Sequence, residues 1–183
     1  MSETYHLRLK LLDIARRDRN KVEESKNRAK WIEKLWEATS APEFYHKGNK
    51  AYPFGDPPYC AAGVAYCLRE WLKDSAVLAA LNLTPDAAEK WRCKSPAAFD
   101  WINWATKKGL AVLPRHCILH AADIVVYEHS HIEIVTDDDN TSDGPLTAIG
   151  YNTNAAGSRD GEGCFEKPRS RNRVKAFIRL LNL

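Results

Sequence analysis

Cys60 is the residue of this chain best placed to act as a nucleophile. It follows Pro57-Pro58-Tyr59, which cannot easily continue a helix, and precedes Ala61-Ala62-Gly63, which lead into one. A thiol at a helix N-terminus sits beside unpaired backbone N–H groups and the positive end of the helix dipole, and both favour thiolate. The small residues next to it let a substrate carbonyl approach, with the Cys60 N–H as a donor to the oxyanion. Cys67 lies two turns deeper in an apolar stripe. Its Cα would be about 10 Å away on the same helix, too far for a disulfide, and it reads as core. Cys93, Cys117 and Cys164 have no comparable context and read as packing residues.

A nucleophilic thiol needs a base, and the histidines at 6, 46, 116, 120, 129 and 131 are the candidates. His131 opens a strand whose pattern puts His131, Glu133 and Val135 on one face and Ile132 and Ile134 on the other. A strand holds an imidazole rigidly, as proton transfer over about 3 Å requires. A third group should fix the far ring nitrogen. Asn152, at the end of the next strand, and Glu133, beside His131, are the two candidates. Zinc could use Cys117-x2-His120 with His129-x-His131, but the second pair overlaps a good strand, whereas structural zinc ligands cluster at turns. Neither a metal nor a cofactor is expected.

The elements that must position these side chains fall into three segments of one 183-residue domain. Residues 1–50 form a helical lead-in, with one stripe through Leu7, Leu11, Leu12, Ile14 and Ala15 and another through Ile32, Leu35, Trp36 and Thr39. The bend between them falls near Val22–Arg28. Residues 51–110 form a second helical half, opened by the breaker-rich loop Gly48–Pro58 and carrying the nucleophile at the head of a helix over Cys60–Lys73. Thr84-Pro85 and Ser95-Pro96 each look like an N-cap followed by proline, and Gly109 looks like the stop of the second helix. Residues 111–183 form a β half of at least four strands. Asp123–Tyr127 and His131–Val135 make a hairpin, and Leu146–Tyr151 and Arg173–Leu180 complete the set. Helices packed on an antiparallel sheet define an α+β fold.

Composition bounds the function classes. A hydrophobic content of 44% and a charged content of 28% are globular values and exclude a disordered or fibrous chain. No apolar run reaches the roughly 18 residues of a membrane span, so membrane insertion is not expected. A net charge of +3 lacks the concentrated basic footprint of a nucleic-acid binder. Arg16–Lys21 is broken by Asp18 and reads as the solvated end of a helix. Five cysteines argue against a disulfide framework, and the N-terminus shows no cleavable signal peptide. Synthesis in the cytoplasm is expected.

The order of these features resembles that of a known family. Pro57-Pro58-Tyr59-Cys60-Ala61-Ala62-Gly63-Val64-Ala65-Tyr66-Cys67-Leu68 resembles the Pro-Trp-Cys-Ala-x-Phe-Val-x-x-Cys signature of the CHAP and NlpC/P60 cysteine hydrolases of peptidoglycan. Ala122–Tyr127 and His131–Val135 look like that family's Gly-Asp-Ile-Val-x-Phe and Gly-His-Val-Gly-Ile-Val pair. Ile149–Asn154, followed by Gly157–Gly163 and Arg169, is similar to its Glu-Gly-Asn-Thr motif. Val22-Glu23-Glu24 and Asn27 match residues found upstream in some members. Four positions depart: Tyr59 replaces tryptophan, and Ala122, Ser130 and Glu133 replace glycines.

The resemblance implies a papain-like fold with Cys60 as nucleophile, His131 as base and Asn152, favoured over Glu133, as the orienting residue. Tyr59 is a possible second oxyanion donor. The implied activity is hydrolysis of an amide bond in peptidoglycan stem peptides or at the muramic acid–alanine junction. Without a signal, the enzyme would reach the wall (the periplasm) either by lysis, as a phage endolysin, or by injection, as an antibacterial toxin. A toxin would need a cognate immunity protein. Two other classes keep the same fold: a non-catalytic module that binds cell wall or protein, and a cysteine isopeptidase or acyltransferase acting on a protein.

Overall fold

Helices occupy the first part of the chain and a sheet the rest. The structure, a computed structural model, describes residues 3–47, 57–139, 141–144, 146–154 and 161–181. Most of the loop expected over Gly48–Pro58 lies outside those residues. Helix α1 (Glu3–Arg16) buries Leu7, Leu11, Leu12, Ile14 and Ala15, and α2 (Lys30–Trp36) buries Ile32, Leu35 and Trp36. The link between them turns at Asn20 and Asn27, with φ of 66° and 56°. Asparagine tolerates that left-handed region better than most residues do. Val22 in this link bridges to Gly163, so the lead-in is tied to the far end of the chain.

Helix α3 (Glu43–Lys47) is short, and α4 (Cys60–Trp71) is the helix that carries the candidate nucleophile. Asp74 caps α5 (Ser75–Ala80), its carboxylate accepting from the N–H groups of Ala76 and Val77. Thr84 caps α6 (Pro85–Trp91) through the Ala87 N–H, with proline in the first turn as expected. Helix α7 (Asp100–Lys107) begins later than the Ser95-Pro96 pattern predicts. The Ser95 hydroxyl accepts from Ala97 and donates to the Asp100 carboxylate, so it closes a local turn instead of opening the helix. Gly109, at φ +68°, comes just after its end.

The six-stranded antiparallel sheet runs in the order β1-β6-β2-β3-β4-β5. Its strands are β1 (Ala111–Leu113), β2 (Ile124–Tyr127), β3 (His131–Val135), β4 (Leu146–Thr153), β5 (Gly163–Arg169) and β6 (Val174–Arg179). Sequence patterning finds the central four and misses β1 and β5, which are the two edges. The first is only three residues long, and the second contains Pro168 and lacks apolar alternation. Ile132 and Ile134 of β3 join the main core under the helices, whereas Val135 joins a smaller cluster with Val125, Tyr127 and Phe177.

Helix α4 packs on α1, α2, β3 and β4. Gly63 permits the approach to β4: a Cβ there would lie 2.1 Å from Cγ of Tyr151. The Tyr151 hydroxyl lies 3.2 Å from the Cys67 sulfur and 3.3 Å from buried Asp18, whose other oxygen meets Lys21 and Lys34 at 2.6 and 2.8 Å. Burial pushes the Cys67 thiol up to about 12, so it stays protonated core material.

Because of that contact, Gly63→Ala should destabilise the protein by about 1–3 kcal/mol and lower Tm by several degrees. An unchanged thermal melt would show that α4 and Tyr151 are not in such close contact. Ala122 and Ser130 sit at φ of 71° and 60°. Their glycine variants should therefore each gain about 1 kcal/mol, read as a higher denaturation midpoint.

Candidate active site

His131 is the first residue of β3 and is 3% exposed. The turn that delivers it passes through Ser130, whose left-handed φ stands where the resembled motif has glycine. Tyr127, its cross-strand partner on β2, stacks on the imidazole with centroids 5.9 Å apart and planes 25° apart. Nε2 lies 3.0 Å from Glu133 Oε1. Nδ1 is buried and makes no hydrogen bond among the described residues, and the Cys60 thiol lies near enough to act on the imidazole. Burial works against the imidazolium, but Cys60 and Glu133 together outweigh it and push His131 up to about 9.

Glu133 is wholly buried, and every lone pair that faces the protein is used. Oε1 meets His131 and Arg169, and Oε2 accepts from Tyr127 at 2.8 Å and from Arg169 Nε at 2.7 Å. Arg169 Nη2 also reaches Thr153 Oγ1 at 3.0 Å. Burial raises the carboxyl, yet His131 and Arg169 overcome it and hold Glu133 down at about 2. Room for the carboxylate comes from its cross-strand neighbour Gly150, where a Cβ would lie 2.2 Å from Oε1.

Cys60 is the first residue of α4 and 5% exposed. No side chain caps this helix end, and the first intrahelical bond is donated by Gly63 to Tyr59 C=O. The Cys60 N–H therefore remains for a ligand. The sulfur lines a cavity of about 230 Å³ walled by Trp36, Phe44, Pro58, Ala98 and Ser130. A larger cavity of about 680 Å³ lies between residues 22–27 and 161–162, lined by Glu23, Ser25, Lys26 and Glu162.

Two sequence expectations change. Tyr59 is wholly buried, edge-on to Trp31 at 5.7 Å, and its hydroxyl donates to Glu23 Oε1 at 2.9 Å. A phenol committed there cannot also point at an oxyanion in the cleft. Burial and the neighbouring carboxylate push it far above its ordinary value, and burial pushes Glu23 up as well. Asn152, favoured for the third position, sits at an irregularity in the β4–β5 ladder with φ +55°. Its backbone N–H faces the Tyr59 hydroxyl, and the atom on the far nitrogen of His131 belongs to Glu133. The ladder between β3 and β4 starts at Glu133↔Gly150, two pairs short of placing Asn152 opposite His131.

Of the remaining candidates, His129 stacks on the His131 ring with centroids 6.0 Å apart. His116 pairs with Asp143 on the surface, and burial lowers His120. No cluster of three or more potential metal ligands occurs among the described residues. Sequence reasoning gave no role to Arg169 or Glu23. An inward-facing glutamate on β3 signals that some cation must cover it, but not which of the many arginines does so. No family model, curated protein or solved structure matches the chain.

The pair should be visible by NMR. The imidazole of His131 should titrate near 9 in the wild type and lower in Cys60→Ala, where the sulfur's contribution is gone. Because the folded value is raised above the ordinary 6.5 or so, its stabilisation is complete below that pH. It is lost as pH rises through about 9. An ordinary imidazole titration in the wild type would refute the pairing.

Proposed function

We propose that this chain is a cysteine amidohydrolase that cleaves an amide bond of peptidoglycan through a thioester. The observation that carries the proposal is the alignment Cys60–His131–Glu133. A thiol at an uncapped helix start lies beside an imidazole that has one nitrogen held by a buried carboxylate and the other without a hydrogen bond among the described residues. The α4 helix packed on an antiparallel sheet, with nucleophile and base at adjoining ends, supports a papain-like arrangement.

In the reaction the Cys60 thiol gives its proton to His131 and its sulfur attacks the amide carbonyl, the negative charge on oxygen being met by the Cys60 N–H. Collapse breaks the C–N bond as the imidazolium of His131 gives its proton to the departing nitrogen. Water then loses a proton to His131 and attacks the thioester, releasing the carboxylic acid and restoring thiol and imidazole. Glu133 keeps the imidazole oriented and stabilises its charged form.

Peptidoglycan as substrate rests on the motif resemblance. In the resembled motifs a glycine stands at the position of Glu133 and, aligned on Asn152, a glutamate at that of Gly150. This chain carries the reverse, and the two positions are cross-strand partners. The carboxylate stays between the two strands while its strand of origin changes. Action on the wall after lysis or injection, with an immunity protein in the second case, goes with that substrate.

Digestion of purified sacculi, with products identified by mass, tests the proposal. Cys60→Ala should lose roughly 10⁴-fold or more of the activity. Glu133→Gln should lose about 10²–10⁴-fold, with circular dichroism verifying the fold, and Asn152→Ala should stay within about tenfold of wild type. Solubilisation by Cys60→Ala at the wild-type rate would overturn the mechanism, and intact sacculi with folded wild type would overturn the substrate.

A further inference from the structure

A further cavity, of about 270 Å³, is lined by His131 but not by Cys60. His131 and His129 form part of its wall, and Arg169, Ser170, Asn172 and Arg173 form much of the rest. The two cavities divide the pair between them: Cys60 and Ser130 line the first, and His131 lines the second. Under the hydrolase reading, on which the assignment of this cavity rests, the division has a chemical meaning. The acyl carbon bonds to sulfur, so the acyl part lies in the Cys60 cavity. The departing nitrogen takes its proton from His131, so the residue that bears it lies on the His131 side.

The lining of that second cavity has one sign of charge. Among the described residues it contains two arginines and two histidines and no carboxylate. The guanidinium of Arg169 is committed to Glu133 beneath the surface. Arg173, in the turn between β5 and β6, is exposed, and among the described residues no carboxylate pairs with it. The acidic residue Glu128, whose N–H donates to Arg173 C=O, has its carboxylate paired with Arg115 at 3.4 Å. A concave wall with a spare guanidinium and no acid attracts an anion.

We infer that this cavity is the leaving-group subsite, and that Arg173 selects substrates whose departing amine is borne by a residue with a free carboxylate. Stem peptides contain residues of this kind, in free-acid and amidated forms. The enzyme would prefer the acid form and would disfavour a bond whose leaving side carries a carboxamide. A charge-assisted contact of this sort commonly changes kcat/KM by about ten- to hundredfold.

The test uses two soluble muropeptides that differ only in whether the leaving-side carboxyl at the cleaved bond is free or amidated. Wild type should cut the acid about ten- to hundredfold faster. Arg173→Gln should bring the ratio of the two rates close to one, and Arg173→Glu should take it below one. Lys175→Gln removes an exposed cation that rests on Phe99, outside the cavity, and should keep the wild-type ratio. Equal rates for wild type on the two peptides would overturn the subsite while leaving the hydrolase standing. Failure of wild type to cut either peptide or sacculi would remove the hydrolase reading and the subsite with it.

Discussion

Glu133 is a carboxylate inside a sheet, and much of the surrounding architecture answers to that. Moving an ionised carboxyl out of water costs several kcal/mol even after relaxation. The cost is offset by donors brought from three strands. His131 comes from its own strand β3, Tyr127 from β2 and Arg169 from β5, and Arg169 in turn donates to Thr153 Oγ1 on β4. Removing one member of such a network leaves a buried charge uncovered, at about 3–5 kcal/mol. The edge strand β5, poor in apolar pattern, is held in place partly because it carries the counterion. Gly150 belongs to the same solution, since any side chain there would occupy the carboxylate's space.

The candidate nucleophile is positioned by a different set of contacts, most of them from the lead-in. Trp71 at the end of α4 donates its indole N–H to Leu7 C=O at 2.7 Å, anchoring the helix to α1. Gly63 lets it sit directly on Tyr151. At its head, Tyr59 is tethered to Glu23, whose other oxygen accepts from the Asn27 N–H. Glu23 therefore joins the turn of the lead-in to the residue before Cys60. A segment that carries no reacting atom thus sets the height and direction of the helix end, which is where a shift of about 1 Å would separate sulfur from imidazole.

The parts legible in the sequence are those governed by short-range rules. The stripes of α1 and α2, the Thr84-Pro85 cap and the β2–β3 hairpin come from period and capping. The head of α4 comes from two prolines. The same rules single out Cys60 and His131 as candidates and put Glu133 on the face of His131. What they cannot give is register between strands distant in the chain. Choosing between Asn152 and Glu133 depended on where the β3–β4 ladder begins, and the partner of Glu133 depended on β5, an edge strand with no periodic signal. Tyr59 looked available for an oxyanion because its neighbour in space, Glu23, lies 36 residues away in sequence.

The departures from the resembled motifs take on a common meaning once backbone angles are considered. Ala122 and Ser130 stand where glycines are expected, and both adopt the left-handed conformation that glycine adopts without penalty. They flank β2, immediately before Asp123 and His131. Each costs on the order of 1 kcal/mol and persists because its surroundings dictate it. Asp123, one residue after Ala122, accepts from Arg179 at 2.8 and 3.0 Å and from the His120 N–H, which fixes the entry to β2. The Tyr127–His131 stack and the Glu133 network fix the exit from the turn. With both ends of the hairpin clamped by buried ion pairs, the chain can do without the glycines, and the imidazole is held in one orientation.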